Sequence, residues 1–314
     1  MRPLVILNPN SQGGGTGRRS ADLARVIAHH LGEVDIVHTE RVRHAVELAE
    51  HAADEGRATV VAVGGDGTIH EVVNGLMRAK ERGGATPRLG IVGQGTGGDF
   101  RRTLGLEHRL DRYCRAIASG KTREVDVGRA SFRGHGGDDE TAYFINILSV
   151  GLGGLVDRYI RESTRALGGS VTYFTATLRA LARSEVGVVA CRVYHHSEAR
   201  DVRLSSRTIA ICNGRYFGGG MEVAPMGEVD DGLFHIVSLG DAPKLEFFVR
   251  SLSIYRGKHI DHPRVEVFPC DAIELRLENE RIAEEFPLDV DGEPLGRLPL
   301  RVEMVPRALD VFVG

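Results

Sequence analysis

An apolar run, Thr59-Val60-Val61-Ala62-Val63, empties into Gly64-Gly65-Asp66-Gly67-Thr68, and helix-like spacing begins at Ile69. A strand that runs into a glycine turn and then a helix brings backbone to one edge of a sheet. The glycines remove Cβ atoms where a ligand must come close. The helix that follows aims its free N–H groups and the positive end of its dipole at the same spot. Such a place binds phosphate. The stretch lacks the Lys-Ser/Thr ending of a Walker A loop and carries Asp66 instead. A carboxylate beside a polyphosphate is repulsive unless a divalent cation lies between them, which implies Mg²⁺. The same pattern also serves as a tight turn that only packs helix on strand.

Similar punctuation recurs along the first 127 residues. Strand signals at Leu4 to Leu7, Val34 to His38, Val60 to Val63 and Leu89 to Val92 alternate with helical spacing at Arg18 to Leu31, Ala45 to Glu55 and Ile69 to Lys80. Strand–helix alternation predicts an α/β fold with a parallel sheet and right-handed crossovers. Ligands in such sheets sit at the carboxyl ends of the strands. Beyond about Asp126 the texture changes. Ala142 to Val150, Val186 to Tyr194, Thr208 to Cys212, Leu233 to Leu239, Val265 to Phe268 and Ile273 to Leu277 read as strands, with helices only near Thr172 to Ala182 and Lys244 to Tyr255. That predicts a β-rich, mostly antiparallel second domain over 128–300, with Arg133 to Glu140 as a polar hairpin-like loop.

Composition narrows the class. Of 314 residues 42% are hydrophobic, enough for a sizeable core, and the net charge of −3 argues against a dedicated nucleic-acid binder. The cysteines, Cys114, Cys191, Cys212 and Cys270, form no C-x-x-C pair, so a reducing, cytoplasmic setting is expected. The start, Met1 to Leu7, is too soon interrupted by Asn8-Pro9 to read as a signal peptide, and no run reaches the roughly 20 apolar residues of a membrane span. Membrane contact would be peripheral.

Two more polar loops follow strands. The first reads Asn8-Pro9-Asn10-Ser11-Gln12-Gly13-Gly14-Gly15, the other Gly93-Gln94-Gly95-Thr96-Gly97-Gly98-Asp99-Phe100. Together with the Asp66 turn they predict one anion site at one sheet edge. Near the end of the chain, Asp289, Asp291 and Glu293 alternate; in an extended segment they share a face, and clustered carboxylates raise one another's pKa, which suits a general base. The alternative is a surface hairpin turn at Asp291-Gly292-Glu293. The pairs His29-His30 and His195-His196 diverge as neighbours and are not read as metal ligands. Arg161, Arg165, Arg179 and Arg183 read as solvated helix faces or as contacts for anionic headgroups.

These motifs together resemble the diacylglycerol kinase catalytic-domain family, especially its soluble bacterial lipid kinases of diacylglycerol or sphingosine kinase type. The resemblance rests on Asn8-Pro9-Asn10-Ser11, Gly64 to Thr68 with Glu71 and Asn74-Gly75-Leu76, Gly95-Thr96-Gly97 with Asp99-Phe100, Asn213-Gly214 with Tyr216 to Met221, Ala224-Pro225, Asp231-Gly232-Leu233, and Asp291-Gly292-Glu293. The Asp66 loop is shared with NAD kinases and phosphofructokinase-like folds; the 218–231 region points to lipid kinases. The resemblance implies an N-terminal ATP-binding domain of phosphofructokinase/NAD kinase type over 1–127, to which about 301–314 return, and a β-sandwich-like lipid domain. The active site would lie in the cleft between. Nucleotide contacts would fall on Asn8, Ser11, Thr39, Gly65, Asp66, Gly67, Thr68, Glu71 and Thr96. A structural Mg²⁺ in the second domain would use the Asp231 carboxylate and the carbonyls of Glu228 and Leu233. Asp291 or Glu293 would be the base, with Asp66 part of the catalytic machinery.

The implied activity is ATP- and Mg²⁺-dependent phosphorylation of a hydroxyl of diacylglycerol or a related lipid in phospholipid metabolism, carried out in the cytoplasm with transient contact at the inner face of the membrane. A monomer or a homodimer stays open. The third loop departs from the family pattern at Gly93, Gln94 and Gly98, so it is expected to be more flexible and one amide side chain poorer. Two other readings compete: a soluble-metabolite kinase of NAD type, and a catalytically weak nucleotide- or lipid-binding regulator.

Overall fold

In the computed structural model, residues 1–95, 97–162 and 169–314 are described. They divide into two compact units, Met1–Val127 with Pro306–Gly314, and Gly128–Val305.

The first unit is built on a parallel sheet. The strand Leu4–Leu7 lies between Asp35–His38 and Thr59–Gly64, and Arg88–Gly93 pairs on the far side of Thr59–Gly64. The end of the last strand joins this edge, with Val311 beside Leu89. Leu4–Leu7 and Thr59–Gly64 are buried at every residue, as strands covered on both faces must be. One face packs Val5, Leu7, Val61, Val63 and Val92 on Leu23 and Ile27 of the helix Ser20–Leu31 and on Tyr113 and Ile117 of the helix Leu110–Ala118. The helix expected from Arg18 is interrupted at Arg19, leaving a short turn Gly15–Arg18 before Ser20–Leu31. The helices His44–Asp54 and Asp66–Glu81 pack closely because Gly75 has no side chain; a Cβ there would clash with the carbonyl oxygen of Val46.

The second unit is a β-sandwich. One layer runs Glu266–Cys270, Phe234–Ser238, Thr208–Cys212, Ile147–Gly151 and Leu288–Val290, all antiparallel. The other contains Glu198–Ser206, Gly187–His195, Ala272–Leu277, Asp139–Phe144 and parts of the long strands Glu293–Phe312 and Thr122–Gly134. Between them lies a core with Leu148, Ile211, Phe234 and Leu288 from the first layer and Phe132, Phe144, Val193, Leu275 and Val302 from the second. Alternate residues of the first layer, Ile147, Ala210, Cys212 and Val237, face the other way, onto Leu155 and Val156 of the helix Leu152–Glu162 and Phe247 and Ile254 of the helix Lys244–Ile254. The hairpin expected near Gly134 forms, closed by the Gly134 N–H on the Asp138 carbonyl.

Two local expectations fail. The run from Ala142 to Val150 is two strands, Asp139–Phe144 and Ile147–Gly151, broken at Ile145-Asn146. The helix Leu152–Glu162 is not among the helical stretches expected for the second domain, although Arg161 reads as part of a helix face; Gly153 and Gly154 in its first turn weaken the helical signal. Gly153 is required by packing: a Cβ would clash with Ser149 Oγ on the strand beneath.

Candidate active site

The three polar loops of the first unit meet. Each follows a parallel strand, at Leu7, Gly64 and Gly93, so all leave the sheet at its carboxyl edge. Asn8 Nδ2 donates to Thr68 Oγ1 at 3.0 Å, tying the first loop to the second. The Gln94 N–H donates to the Gly64 carbonyl at 2.6 Å, and the Gly98 N–H donates to Asp66 Oδ2 at 2.8 Å, tying the second to the third. Arg19 donates to Gln94 Oε1 at 3.2 Å, which closes the ring. The main chains touch: a Cβ on Gly95 would lie 2.8 Å from the Gly65 Cα, and one on Gly97 would lie 2.9 Å from Asp66 Oδ2 and 3.8 Å from Asp99 Oδ2. Glycine is the residue that fits such an approach.

The helix Asp66–Glu81 starts from Gly65, and its first bonded amides are those of Thr68 and Ile69, both on the Gly65 carbonyl. The N–H groups of Asp66 and Gly67 precede them in the first turn, at the positive end of the helix dipole. Gly65, Asp66 and Gly67 are half-buried, and Thr68 is buried. Ser11 sits in a compact turn, its N–H on the Asn8 carbonyl at 3.3 Å and its own carbonyl accepting from Thr16 N–H. Thr39 is buried beside the first loop, its N–H on the Leu7 carbonyl at 2.9 Å. Thr96 and Arg165 lie outside the described residues.

Glu71 is placed differently from its companions. Its carboxylate accepts the N–H of Arg43 at 3.0 Å and of Ala45 at 3.1 Å, so it caps the start of the helix His44–Asp54. The altered third loop also has a packing reason. A Cβ on Gly93 would lie 2.7 Å from the Tyr113 hydroxyl, which bonds His108 Nδ1 at 2.9 Å. Burial pushes the Tyr113 phenol up to about 12, so it stays a neutral donor or acceptor. Gln94, through Arg19 and its own donation to the Gly93 carbonyl, supplies amide contacts to this loop.

Asp99, part of the third motif but given no site role from the sequence, joins this junction directly after Gly98. It is buried, its Oδ1 accepts from Arg102 at 2.6 Å, and its other oxygen faces Gly97 across from Asp66. An acid at the first turn of the helix Asp99–Thr103 was the available signal.

In the second unit the acidic motif does not form one alternating face. The strand Leu288–Val290 ends, Asp291 takes a left-handed conformation at φ 53° with Gly292 at φ 88°, and a new strand starts at Glu293. Asp291 accepts three backbone N–H groups, from Ile145, Asn146 and Ile147, each at 3.0 Å. That contact holds the break between the two strands of the 139–151 region. Asp289 faces the helix side, opposite Ser149 in register. Burial pushes its carboxyl well above the usual range, and the Asp157 carboxylate, through its charge and a hydrogen bond, pushes it further. Glu293 is half-buried.

Asp231 and Glu228 are exposed, and Leu233 is half-buried. Asp231 Oδ1 accepts the Leu233 N–H at 3.0 Å, which folds the 231–233 turn. Burial lowers the pKa of the His235 imidazole beside them, against the charges of Asp231 and Glu228. Oxygen-only donors with a single carboxylate match a hard divalent ion that keeps several waters. Among the described residues no cluster of three His, Cys, Asp or Glu side chains converges as a metal site. The proposed set, with two carbonyls, does not depend on one.

Two known families match parts of the chain. Residues 2–130 match the diacylglycerol kinase catalytic domain, and residues 146–313 match the YegS C-terminal NAD kinase beta sandwich-like domain. A probable lipid kinase YegS-like protein of Chromohalobacter salexigens is 30% identical over 306 residues, covering 97% of this chain and 91% of that protein. A diacylglycerol kinase of Staphylococcus aureus is 27% identical over 312 residues, covering 99% and 92%. The crystal structure of a putative diacylglycerol kinase from Bacillus anthracis superimposes with a TM-score of 0.77 at 23% identity, covering all of this chain and 95% of that one, which shows the shared fold.

Proposed function

Since the chain belongs to the diacylglycerol kinase-like lipid kinase family, with its catalytic domain and its YegS-type C-terminal domain, we propose that it transfers the γ-phosphoryl group of ATP to a hydroxyl of diacylglycerol or a related lipid. The observation that carries this reading is the junction of the three loops around Asp66. The N–H groups of Asp66 and Gly67 would cradle phosphate oxygens, with Asn8 and Thr68 holding the loop that presents them. Ser11 and Thr39 border the same loops and would line the nucleotide. Asp66, with Asp99 across Gly97, would hold Mg²⁺, which when bound neutralises charge on the phosphates.

On the acceptor side, Asp291 or Glu293 would take the hydroxyl proton. Most of the rate would still come from positioning and charge stabilisation. In the second unit Asp231, with the carbonyls of Glu228 and Leu233, would hold a structural Mg²⁺. Among the described residues no helix is long and apolar enough to cross a membrane. The proposed acceptor is itself a membrane lipid, so it would be met at a membrane surface.

The experiment is transfer of label from γ-labelled ATP to a panel of diacylglycerols, sphingoid bases and NAD, with and without Mg²⁺. Label on a lipid, dependent on Mg²⁺, is expected. Label on NAD alone would replace this reading with a metabolite kinase, and nucleotide binding with no labelled acceptor would make the protein a regulator.

A further inference from the structure

The third loop turns at Gly98, which takes a left-handed conformation (φ 60°, ψ 45°) just before the helix Asp99–Thr103. The Gly98 N–H donates to Asp66 Oδ2 at 2.8 Å, so the orientation of this one peptide helps to aim the carboxylate. Glycine reaches the left-handed region at no steric cost, but it reaches many other conformations as readily and does not hold itself there. A neighbouring group has to restrain it.

Arg101 supplies that restraint. It stands three residues on, within the helix Asp99–Thr103, and helical side chains tilt back toward the N-terminus. Its stem therefore covers Gly98: a Cβ at 98 would lie 3.4 Å from Arg101 Cγ, 3.3 Å from Cδ and 2.7 Å from Nε. The far end is tied down. Arg101 Nη1 donates to the Leu106 carbonyl at 3.3 Å, and the Leu106 N–H donates back to the Arg101 carbonyl at 2.9 Å. Arg101 Nε is buried and, among the described residues, has no hydrogen-bond partner, so the stem and not a bond at Nε makes the contact with Gly98. Burial dominates the Tyr113 phenol, and the charges of Arg101, Asp66 and Arg102 also act on it, which puts the guanidinium and the Asp66 carboxylate around one ring.

The adjacent arginine has a separate task. Arg102 donates to the Gly97 carbonyl at 2.7 Å and to Asp99 Oδ1 at 2.6 Å. Arg102 thus holds groups on either side of Gly98, and Arg101 covers Gly98 itself.

We propose that Arg101 is a positioning residue for phosphoryl transfer: strapped over Gly98, it keeps the 98 N–H on the Asp66 carboxylate that would meet Mg²⁺ and phosphate. It follows that positions 98 and 101 are interdependent, since a side chain at 98 needs the space that the arginine stem fills. The latch rests on the lipid-kinase reading for its purpose and on contacts within the first unit for its geometry.

The test reads amide hydrogen exchange of peptides spanning 97–106 in the full chain without nucleotide or metal, and calorimetric affinity for ATP with Mg²⁺. The variants are Arg101→Ala, Arg101→Lys, Gly98→Asn and the pair Gly98→Asn/Arg101→Ala. Asn is chosen because it visits the left-handed backbone routinely, so it adds volume with little backbone strain. Arg101→Ala should speed exchange and weaken ATP binding, each by about tenfold, with an unchanged melting temperature. Arg101→Lys keeps the stem and should recover most of both losses. Gly98→Asn should lose about as much as Arg101→Ala, and the pair should lose no more than either single variant. Losses that multiply in the pair overturn the proposal, as does parent-like exchange in Arg101→Ala. Arg101→Lys as impaired as Arg101→Ala also overturns it, because the stem alone is then not the restraint. A melting temperature that falls equally in both assigns Arg101 to folding and overturns it as well. Label transfer from γ-labelled ATP to lipid separates the two readings. Faster exchange in Arg101→Ala and a non-additive pair, with no labelled lipid from the parent, keep the latch and remove the lipid-kinase reading. Labelled lipid with parent-like exchange in Arg101→Ala does the reverse.

Discussion

Asp66 and Asp291 each follow or precede a glycine where a strand ends, yet they carry different loads. Asp66 is half-buried and, among the described residues, accepts the N–H of Gly98 from the neighbouring loop. Asp291 is only 9% exposed and holds three consecutive backbone amides of a segment far away in sequence. The first carboxylate stands at a loop junction where a ligand can reach it. The second is part of what shapes the fold. Similar glycine-flanked motifs thus differ in burial and in what hangs on the acid: three amides of a distant strand break depend on Asp291, so its loss is expected to appear in stability as well as in activity.

The sharpest way to break this contrast is Asp66→Ala. It should lower turnover by about three orders of magnitude or more and abolish Mg²⁺-dependent ATP binding by calorimetry, with little change in melting temperature. A large drop in melting temperature would place Asp66 with Asp291 as a structural acid. The next is the pair Asp291→Asn and Glu293→Gln. Asn cannot satisfy all three amides as a carboxylate does, so that variant should lose about 2–4 kcal/mol in denaturant unfolding as well as activity, while Glu293→Gln should keep its stability. An Asp291→Asn protein as stable as the parent but slow would make Asp291 a base with no structural load.

Glu71→Ala should cost about 1–2 kcal/mol through loss of the cap on His44–Asp54, with ATP affinity nearly unchanged. A selective fall in ATP affinity would return Glu71 to the nucleotide site. The smallest effect is expected at Asp289. Its folded carboxyl titrates above its unfolded value, so the folded state holds the extra proton, and stability falls as pH rises from about 4 toward the folded pKa. Asp289→Asn should flatten that slope and stabilise the protein at neutral pH by on the order of 1 kcal/mol. An unchanged pH profile in thermal melts would mean that Asp289 and Asp157 do not share a proton.

Much of this was legible because local rules acted alone. The strands Leu4–Leu7 and Thr59–Gly64 are fully buried parallel strands, and an unbroken apolar run is their signature. The sheet edge at which the loops gather follows from the alternation of strand and helix. What was not legible depended on partners distant in sequence. The apolar run through Ile145 carries no break signal, since the break is held by Asp291, 146 residues away. Asp289, Asp291 and Glu293 alternate on paper, but the left-handed turn at Asp291 destroys the shared face. Glu71 reads as part of a nucleotide motif, and only the packing of two helices reveals the amides it caps.

The order of residues by itself determined the parallel sheet, the β-rich second unit and the glycine turns, because burial period and backbone freedom are local properties of the chain. Which acid stands at the loop junction, which one anchors a distant strand break and which one has its pKa raised by burial were decided only in the tertiary structure. Hydrogen-bond partners and burial fix those roles, and both come from segments that the sequence places far apart.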